Sequence, residues 1–369
     1  MKKMNRKFWI LGAAVAVVAV LSLAFSSPGK VEGGKPVVRI GLSAQMTGNM
    51  AFVGEETKNA AELFMENFDA ESAYYRYEII IEDNRSRVAD TVSVVNKMIS
   101  SDKVNAVLSF SSGHGLAVSP IAERSRVIHM SASTDPAVAI GDFNFTLTTS
   151  PAQLVELILD HIESVGAKNI SVVMTNIAVG EVYLRGLSEA VAKRPGLRMA
   201  EPHRVNTGDT DFRTIIQKIR AERPDVIMNL LFVPEVDVFL RQYRQARMAI
   251  PMVGIEIPAS IKHKELAEGL VFSDNAPATD EFAREYTLRF GGRSPIYAQF
   301  VYSMLEVLTS AFEAYAKPEI NNAEVAAMML KTADGMETAV GRITSRPSGV
   351  LDTSAVLRVI KNGKAVIKK

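Results

Sequence analysis

Three stretches of this chain are rich in hydroxyl and small residues: 43–54 (SAQMTGNMAFVG), 109–115 (SFSSGHG) and 131–136 (SASTDP). Hydroxyls beside free backbone N–H groups at a helix start suit a carboxylate or another anion, although Ser and Gly in any one loop equally make turns and caps. The second half of the chain offers 176–181 (NIAVGE), 231–235 (LFVPE) and 254–258 (GIEIP). In the last of these, Glu256 stands between Ile255 and Ile257. A carboxylate in apolar surroundings is costly to ionise unless something positive meets it. Three readings stay open for Glu256: it meets a cationic ligand group such as an ammonium, it pairs with an internal Lys or Arg, or it is simply exposed.

Little else on the chain points to catalysis. GxGxxG, GxxxxGK[ST] and GxSxG are all missing, so the dinucleotide fingerprint, the phosphate loop and the nucleophile elbow are absent. The five His, at 114, 129, 161, 203 and 263, stand too far apart in sequence to make a short metal-ligand pair. His129 falls in an apolar run and is expected as a hydrogen-bonded core residue, His161 as a surface residue on a helix. Ser100 and Lys103 match SxxK but end a predicted helix, and Glu82, Asp83 and Asp90 flank a polar turn where solvation accounts for them. An enzyme would have to rest on Glu256, Glu181 and His114, which show no nucleophile–base spacing. The expectation is a protein that is not an enzyme and carries no metal and no cofactor.

The elements that must hold these loops are legible as short β-branched runs alternating with helical periodicity. Strands are expected at 37–42, 77–82, 106–110 and 127–130, with helices at 55–68, 88–99 and 116–124 between them. The same alternation restarts after Pro151. Helices are expected at 153–165, 181–193, 211–219 (capped by Asp211), 235–246, 280–290, 299–315 and 323–331. Strands are expected at 170–174, 198–201, 226–231, 252–254, 269–272, 339–343 and 355–360, the last followed by an Asn362-Gly363 type I′ turn. Repeated βα alternation predicts an α/β chain with two doubly wound, mostly parallel sheets. In such sheets ligands bind beyond the carboxyl ends of the strands, which is where the hydroxyl loops and Glu256 fall.

Composition bounds the function classes. The chain has 369 residues, 42 Lys+Arg against 41 Asp+Glu and no Cys. A near-zero charge leaves no basic footprint for nucleic acid, and the lack of Cys excludes disulfides, thiolate metal sites and Cys nucleophiles. The N-terminus reads as an export leader: Lys2, Lys3, Arg6 and Lys7 precede 18 uncharged residues, Phe8 to Phe25. Cleavage is expected after Ala24 or Ser26, or else residues 1–25 stay as a membrane anchor. With no Cys behind the leader a lipid anchor is excluded. Residues 26–36 read as a flexible linker. Removing residues 1–24 leaves 38 basic against 41 acidic residues, a net −3, and takes away Trp9, the single Trp. A processed protein should therefore lack Trp fluorescence and weigh less than the 40.2 kDa of the full chain.

The segments VVRIGLSAQMTGNMAFVGEETKNAAELFMENF, NAVLSFSSGHGLAVSPIAERSRVIHMSASTDP and DFRTIIQKIRAERPDVIMNLLFVPEVDVFLRQYRQARMAIPMVGIE, in that order behind a leader, resemble the type I periplasmic binding proteins of the leucine/isoleucine/valine-binding group. The resemblance spans about residues 37–365. It implies two α/β lobes joined by three crossings near 146–151, 272–276 and 338–341. Lobe one would then be 37–148 plus 276–338, and lobe two 149–275 plus 339–369. It implies Ser112, Ser133 and Thr134 at the ligand's polar end and Glu256 at its ammonium. Phe52, Phe110, Phe232 and Tyr297 would supply apolar walls. Where the family carries aromatics, this chain has Val53 (with Phe52 beside it), Val179, and Val233 (with Phe232 beside it). The function implied is the extracytoplasmic solute-binding component of an ABC-type importer, taking an amino acid or a related carboxylate or amide. Its partners would be a small ligand and the transporter's permease subunits, with no nucleic acid, and a membrane only through an uncleaved leader. The alternative is a membrane-tethered ligand-sensing or envelope interaction module of the same fold.

Overall fold

A computed structural model of the chain describes residues 34–256, 261–292 and 295–368. The leader at 1–25, most of the linker, and Ile257 and Pro258 lie outside the described residues. From the start of the described chain, β-branched runs and amphipathic stretches alternate as the periodicity predicts. The order is β1 (Val37–Ala44), α1 (Ala51–Asn67), β2 (Arg76–Asp83), α2 (Val88–Ser100), β3 (Ala106–Phe110), α3 (Ser112–Ser125), β4 (Ile128–Ala132) and β5 (Asn144–Thr148). The chain continues with α4 (Pro151–Ser164), β6 (Asn169–Thr175), α5 (Ala178–Ala192), β7 (Arg198–Met199), β8 (His203–Val205), α6 (Arg213–Glu222), β9 (Val226–Leu230), α7 (Glu235–Gln245), β10 (Met252–Ile255) and β11 (Val271–Asn275). Then follow α8 (Asp280–Phe290), α9 (Ala298–Tyr315), α10 (Asn322–Ala333), β12 (Glu337–Thr338), β13 (Gly341–Arg342), β14 (Thr344–Ser345), β15 (Val350–Asp352), β16 (Ala355–Lys361) and β17 (Lys364–Ile367).

Two large sheets result. The first runs β14-β15-β5-β4-β3-β1-β2, the second β17-β16-β11-β10-β9-β6-β7 with β8 beside β6. Pairing is parallel except at β14–β15, β11–β16 and β16–β17. Val38, Ile40 and Leu42 on one face of β1 join a core with Leu63 and Phe64 of α1 and Met304, Leu308 and Phe312 of α9. The other face buries Val107 against Val95 and Met98 of α2 and Val118 of α3. Strands apolar on both faces are what helices on both sides require. The second sheet packs Val172, Met228 and Val253 with Leu154 and Ile158 of α4, Tyr183 and Leu187 of α5 and Phe239 of α7.

The chain passes between the sheets three times: from β5 to α4, from β11 to α8 and from β15 to β16. The third passage, at 352–355, is a correction. Residues 339–343 were expected as a strand beyond the third crossing at 338–341, in lobe two. Instead they close the β12–β13 turn against α9, where Glu306 accepts from the Ala339 N–H (3.0 Å) and Ser303 from the Val340 N–H (3.1 Å). Val350–Asp352 then pairs with Thr146–Thr148 of the first sheet. An apolar run such as Ala339–Ile343 looks alike whether it is a strand or a buried turn, so its sequence does not separate the two.

Local chemistry explains the element ends. Pro151 opens α4 behind Ser150, whose hydroxyl accepts from the Gln153 N–H (3.4 Å). Asp211 lies one residue outside the α6 cap, at Phe212, yet accepts from the Arg213 N–H (3.1 Å). Asn362 and Gly363 have φ 52° and 67° between the paired Lys361 and Lys364, as the type I′ turn requires.

Candidate ligand-binding site

The hydroxyl loops of the first sheet converge. β3 turns into α3 through Ser111, which holds φ 78° and ψ 151°, a conformation that costs a non-glycine residue about 1–3 kcal/mol. No side chain caps α3 there, so its first-turn N–H groups face the loop after β4 without that partner. Ser133 donates to the Ser112 hydroxyl at 3.2 Å, and Ser112 lies 3.3 Å from the Thr134 hydroxyl. Beneath them, the Ser109 hydroxyl meets Ser131 and His129 Nε2, each at 2.9 Å, and His129 Nδ1 meets Asn144 at 2.8 Å. Burial holds the His129 pKa down at about 4, so the ring is neutral and braces β3, β4 and β5 as a core residue. His161, expected at the surface, is half-buried instead. His114, in the first turn of α3, is buried against the Thr91 hydroxyl (2.6 Å), and burial lowers its pKa.

An aromatic wall stands beside these hydroxyls. Tyr297 packs edge-on against Phe110 with ring centroids 5.3 Å apart, and Phe52 lies 6.0 Å from Tyr297. The Glu56 carboxylate fixes Tyr297 by accepting from the N–H groups of Ile296 (2.9 Å), Tyr297 (2.7 Å) and Ala298 (3.3 Å) at the start of α9. Phe52 is placed by α1, whose Gly54 lies on the backbone at the end of β1. A Cβ on Gly54 would fall 2.3 Å from the Gln45 carbonyl oxygen. Gly54→Ala should destabilise the fold by about 1–3 kcal/mol through this overpacking. Gly41→Ala, which meets only the flexible Met98 thioether, should cost less. Denaturant melts of the two variants provide the comparison.

Across from the hydroxyls, Glu256 follows β10 with φ 56°, like Ser111 a non-glycine residue held at positive φ just past a strand. Its carboxylate accepts from the Tyr183 hydroxyl through a short bond and from Asn275 Nδ2 at 2.7 Å. Part of the residue's surface is exposed, yet the carboxyl group lies deep enough for burial to raise its pKa, against the lowering effect of those two donors. Among the described residues no Lys or Arg pairs with it. Behind it sits Asp274, pushed up to about 7 by burial, which Arg358 at 3.4 Å opposes and the Glu256 charge reinforces. Tyr183 is fully buried, and burial and then the Glu256 charge raise its pKa. Two polar groups therefore mark the site: Ser133–Ser112–Thr134 on the first sheet and Tyr183–Glu256–Asn275 on the second. A crevice of about 560 Å³ between the sheets reaches Ser133 and Thr134, its other walls coming from Pro136, β5, α4, α5 and the β14–β15 turn.

Residues 37–364 match the family model described as Periplasmic binding protein. The chain belongs to the periplasmic binding protein family. A Leu/Ile/Val-binding protein, BraC3, of Rhizobium johnstonii is 22% identical over 350 residues, covering 91% of this chain and 93% of the relative. The solved structure of a leucine binding protein from Thermotoga maritima superposes with a TM-score of 0.78 at 22% identity, covering 90% of this chain and 98% of that one. A solute binding protein of an ABC transporter from Rhodopseudomonas palustris, in complex with 3,4-dihydroxybenzoic acid, gives 0.77 at 19% identity over 90% and 96%. These are type I structures, and this binding protein shares their pair of α/β lobes.

Within the binding protein, the expected residues divide by what the fold brings together. Ser112, Ser133 and Thr134 form one hydroxyl cluster, and Phe52, Phe110 and Tyr297 one aromatic wall. Val179, in the first turn of α5, and Phe232, after β9, are half-buried against the core of the second lobe. The Phe232 N–H donates to the Thr175 hydroxyl (3.1 Å). Sequence reasoning missed Tyr183 and Asn275. Tyr183 lies one helical turn after Val179, so a helix-face projection from the GE start of α5 puts it on the same side. Asn275 carries no local signal, because its bond to Glu256 comes from strand register.

Proposed function

We propose that this binding protein works outside the cytoplasmic membrane, captures a small organic carboxylate between its lobes, and presents it to the permease subunits of an ATP-driven importer. An α-amino acid is the ligand class we favour. The observation that carries this reading is the Glu256 carboxylate, desolvated and satisfied only by the neutral Tyr183 and Asn275 donors, with no cation paired to it among the described residues. An ammonium would complete it with a charge-assisted hydrogen bond. The ligand's carboxylate would meet the hydroxyls of Ser112, Ser133 and Thr134 and the uncapped start of α3. Phe52, Phe110 and Tyr297 would cover its apolar part, with Val179 and Phe232 on the facing lobe. The names of the Leu/Ile/Val-binding relatives support the amino-acid class and the transport role.

A thermal-shift screen against amino acids, their amides and small carboxylates tests the reading. A ligand at 100 times its dissociation constant should stabilise the fold by about 2.7 kcal/mol. Stabilisation by benzoate-like acids and by no ammonium-bearing compound would sink the role given to Glu256. Ser112→Ala should cost about 1–3 kcal/mol of binding by leaving a ligand oxygen unpaired. If calorimetry finds no loss, the Ser112 hydroxyl serves only Ser133 and Thr134.

A further inference from the structure

The crossings between the lobes are tied to one another by side chains. Ser150 N–H donates to Asp352 (2.8 Å), Thr149 and Thr353 hydroxyls meet at 2.8 Å, and Thr353 N–H donates to the Thr148 carbonyl (3.2 Å). Ala276 N–H donates to the Ser354 carbonyl at 2.9 Å. Asn275 sits where these ties meet the ligand-facing carboxylate. It is the last residue of β11, before the second crossing, and its backbone pairs with Ala355, just past the third. Its Oδ1 accepts from the Thr149 N–H on the first crossing (3.3 Å) while its Nδ2 donates to Glu256 Oε1 (2.7 Å).

We propose that Asn275 is a positioning residue that couples the hydrogen-bonding state of the Glu256 carboxylate to the angle between the lobes. The coupling deepens the ammonium reading of Glu256 and rests on it for what arrives there. The physical basis is the fixed polarity of an amide. With Oδ1 engaged by the Thr149 N–H, only the NH₂ end is left to face Glu256, and a flip would set two acceptors against each other. Thr149 is fully buried, so its N–H cannot drop its partner without the penalty of an unpaired buried donor. The other oxygen of Glu256 accepts from Tyr183 within the same lobe. A cation drawing on the carboxylate therefore competes with the Asn275 amide, whose other end holds the Thr149 N–H on the first crossing.

The test needs no ligand. The chain has no Cys, so Ser125→Cys in α3 and Lys218→Cys in α6, both exposed, carry a pair of spin labels, and pulsed electron resonance reads the interlobe distance. Asn275→Asp keeps an acceptor for Thr149 but sets a second carboxylate against Glu256. It should move the ligand-free distribution to longer distances. Adding Glu256→Gln, whose amide can donate to the new carboxylate, should move it back. An unchanged distribution in Asn275→Asp, or a shift that Glu256→Gln does not reverse, overturns the coupling. If Asn275→Asp does not fold, Asn275→Ser takes its place, and an unshifted distribution there is equally fatal. Because the readout is ligand-free, failure of amino acids to bind leaves it standing. Amino-acid binding with no distance shift removes the coupling and spares the ammonium reading.

Discussion

Glu256→Gln should lose about 2–5 kcal/mol of affinity for an ammonium-bearing ligand, because the ligand's charge is then buried without its partner. The same change should leave the ligand-free protein at least as stable at pH 8. Burial raises the Glu256 pKa above its ordinary 4.5, so the folded chain holds this proton more tightly than the unfolded chain does. Stability from this group is then present at low pH and falls as pH rises from 4.5 through the raised value. A Gln carries no such proton, so part of the downward slope between those pH values should vanish, and the two proteins should differ most above it. Calorimetric titration gives the affinity, and urea melts at pH 5 and pH 8 give the slope. Unchanged affinity would remove the charge role. A variant less stable at pH 8 would mean that the Tyr183 and Asn275 bonds outweigh the burial of the charge.

What the sequence made legible follows from how far apart the partners are. β3 has the expected bounds, 106–110, and α8 the expected 280–290, because local periodicity decides both. Ser112, Ser133 and Thr134 could be placed together since parallel strands deliver all their carboxyl ends to one edge. Glu256 could be singled out by its apolar neighbours. Its actual partners could not, because Tyr183 reaches it across 73 positions and Asn275 through the register of β11. Tyr297 was expected as a wall, but the Glu56 carboxylate that orients it stands about 240 residues away and leaves no local trace. The third crossing was misplaced for a related reason: Val350–Asp352 is only three residues long, and its membership in the first sheet is decided by pairing with β5 rather than by its own pattern.

Arg358→Leu should cost about 3–5 kcal/mol of stability at pH 8, the usual penalty for removing one partner of a buried pair. Arg358 and Asp274 are 19% and 10% exposed at their side chains, and no other cation pairs with Asp274 among the described residues. Without the guanidinium, Asp274 and Glu256 would be two neighbouring carboxylates in a desolvated site. The loss should depend on pH with a definite sign. Asp274 already sits at about 7 with Arg358 present, and removing the cation pushes it higher. Below that value the carboxyl takes up a proton and the uncompensated charge disappears, so the cost should shrink at pH 5 and grow as pH rises to 8. Asp274→Asn on the Arg358→Leu background should recover most of the pH 8 loss. A loss equal at both pH values, unrelieved by Asp274→Asn, would assign the effect to the packing of the Arg358 stem along β16 instead. If the sign holds, Arg358 is what carries the Asp274 charge on the floor of the second lobe, leaving Glu256 without an internal cation of its own among the described residues.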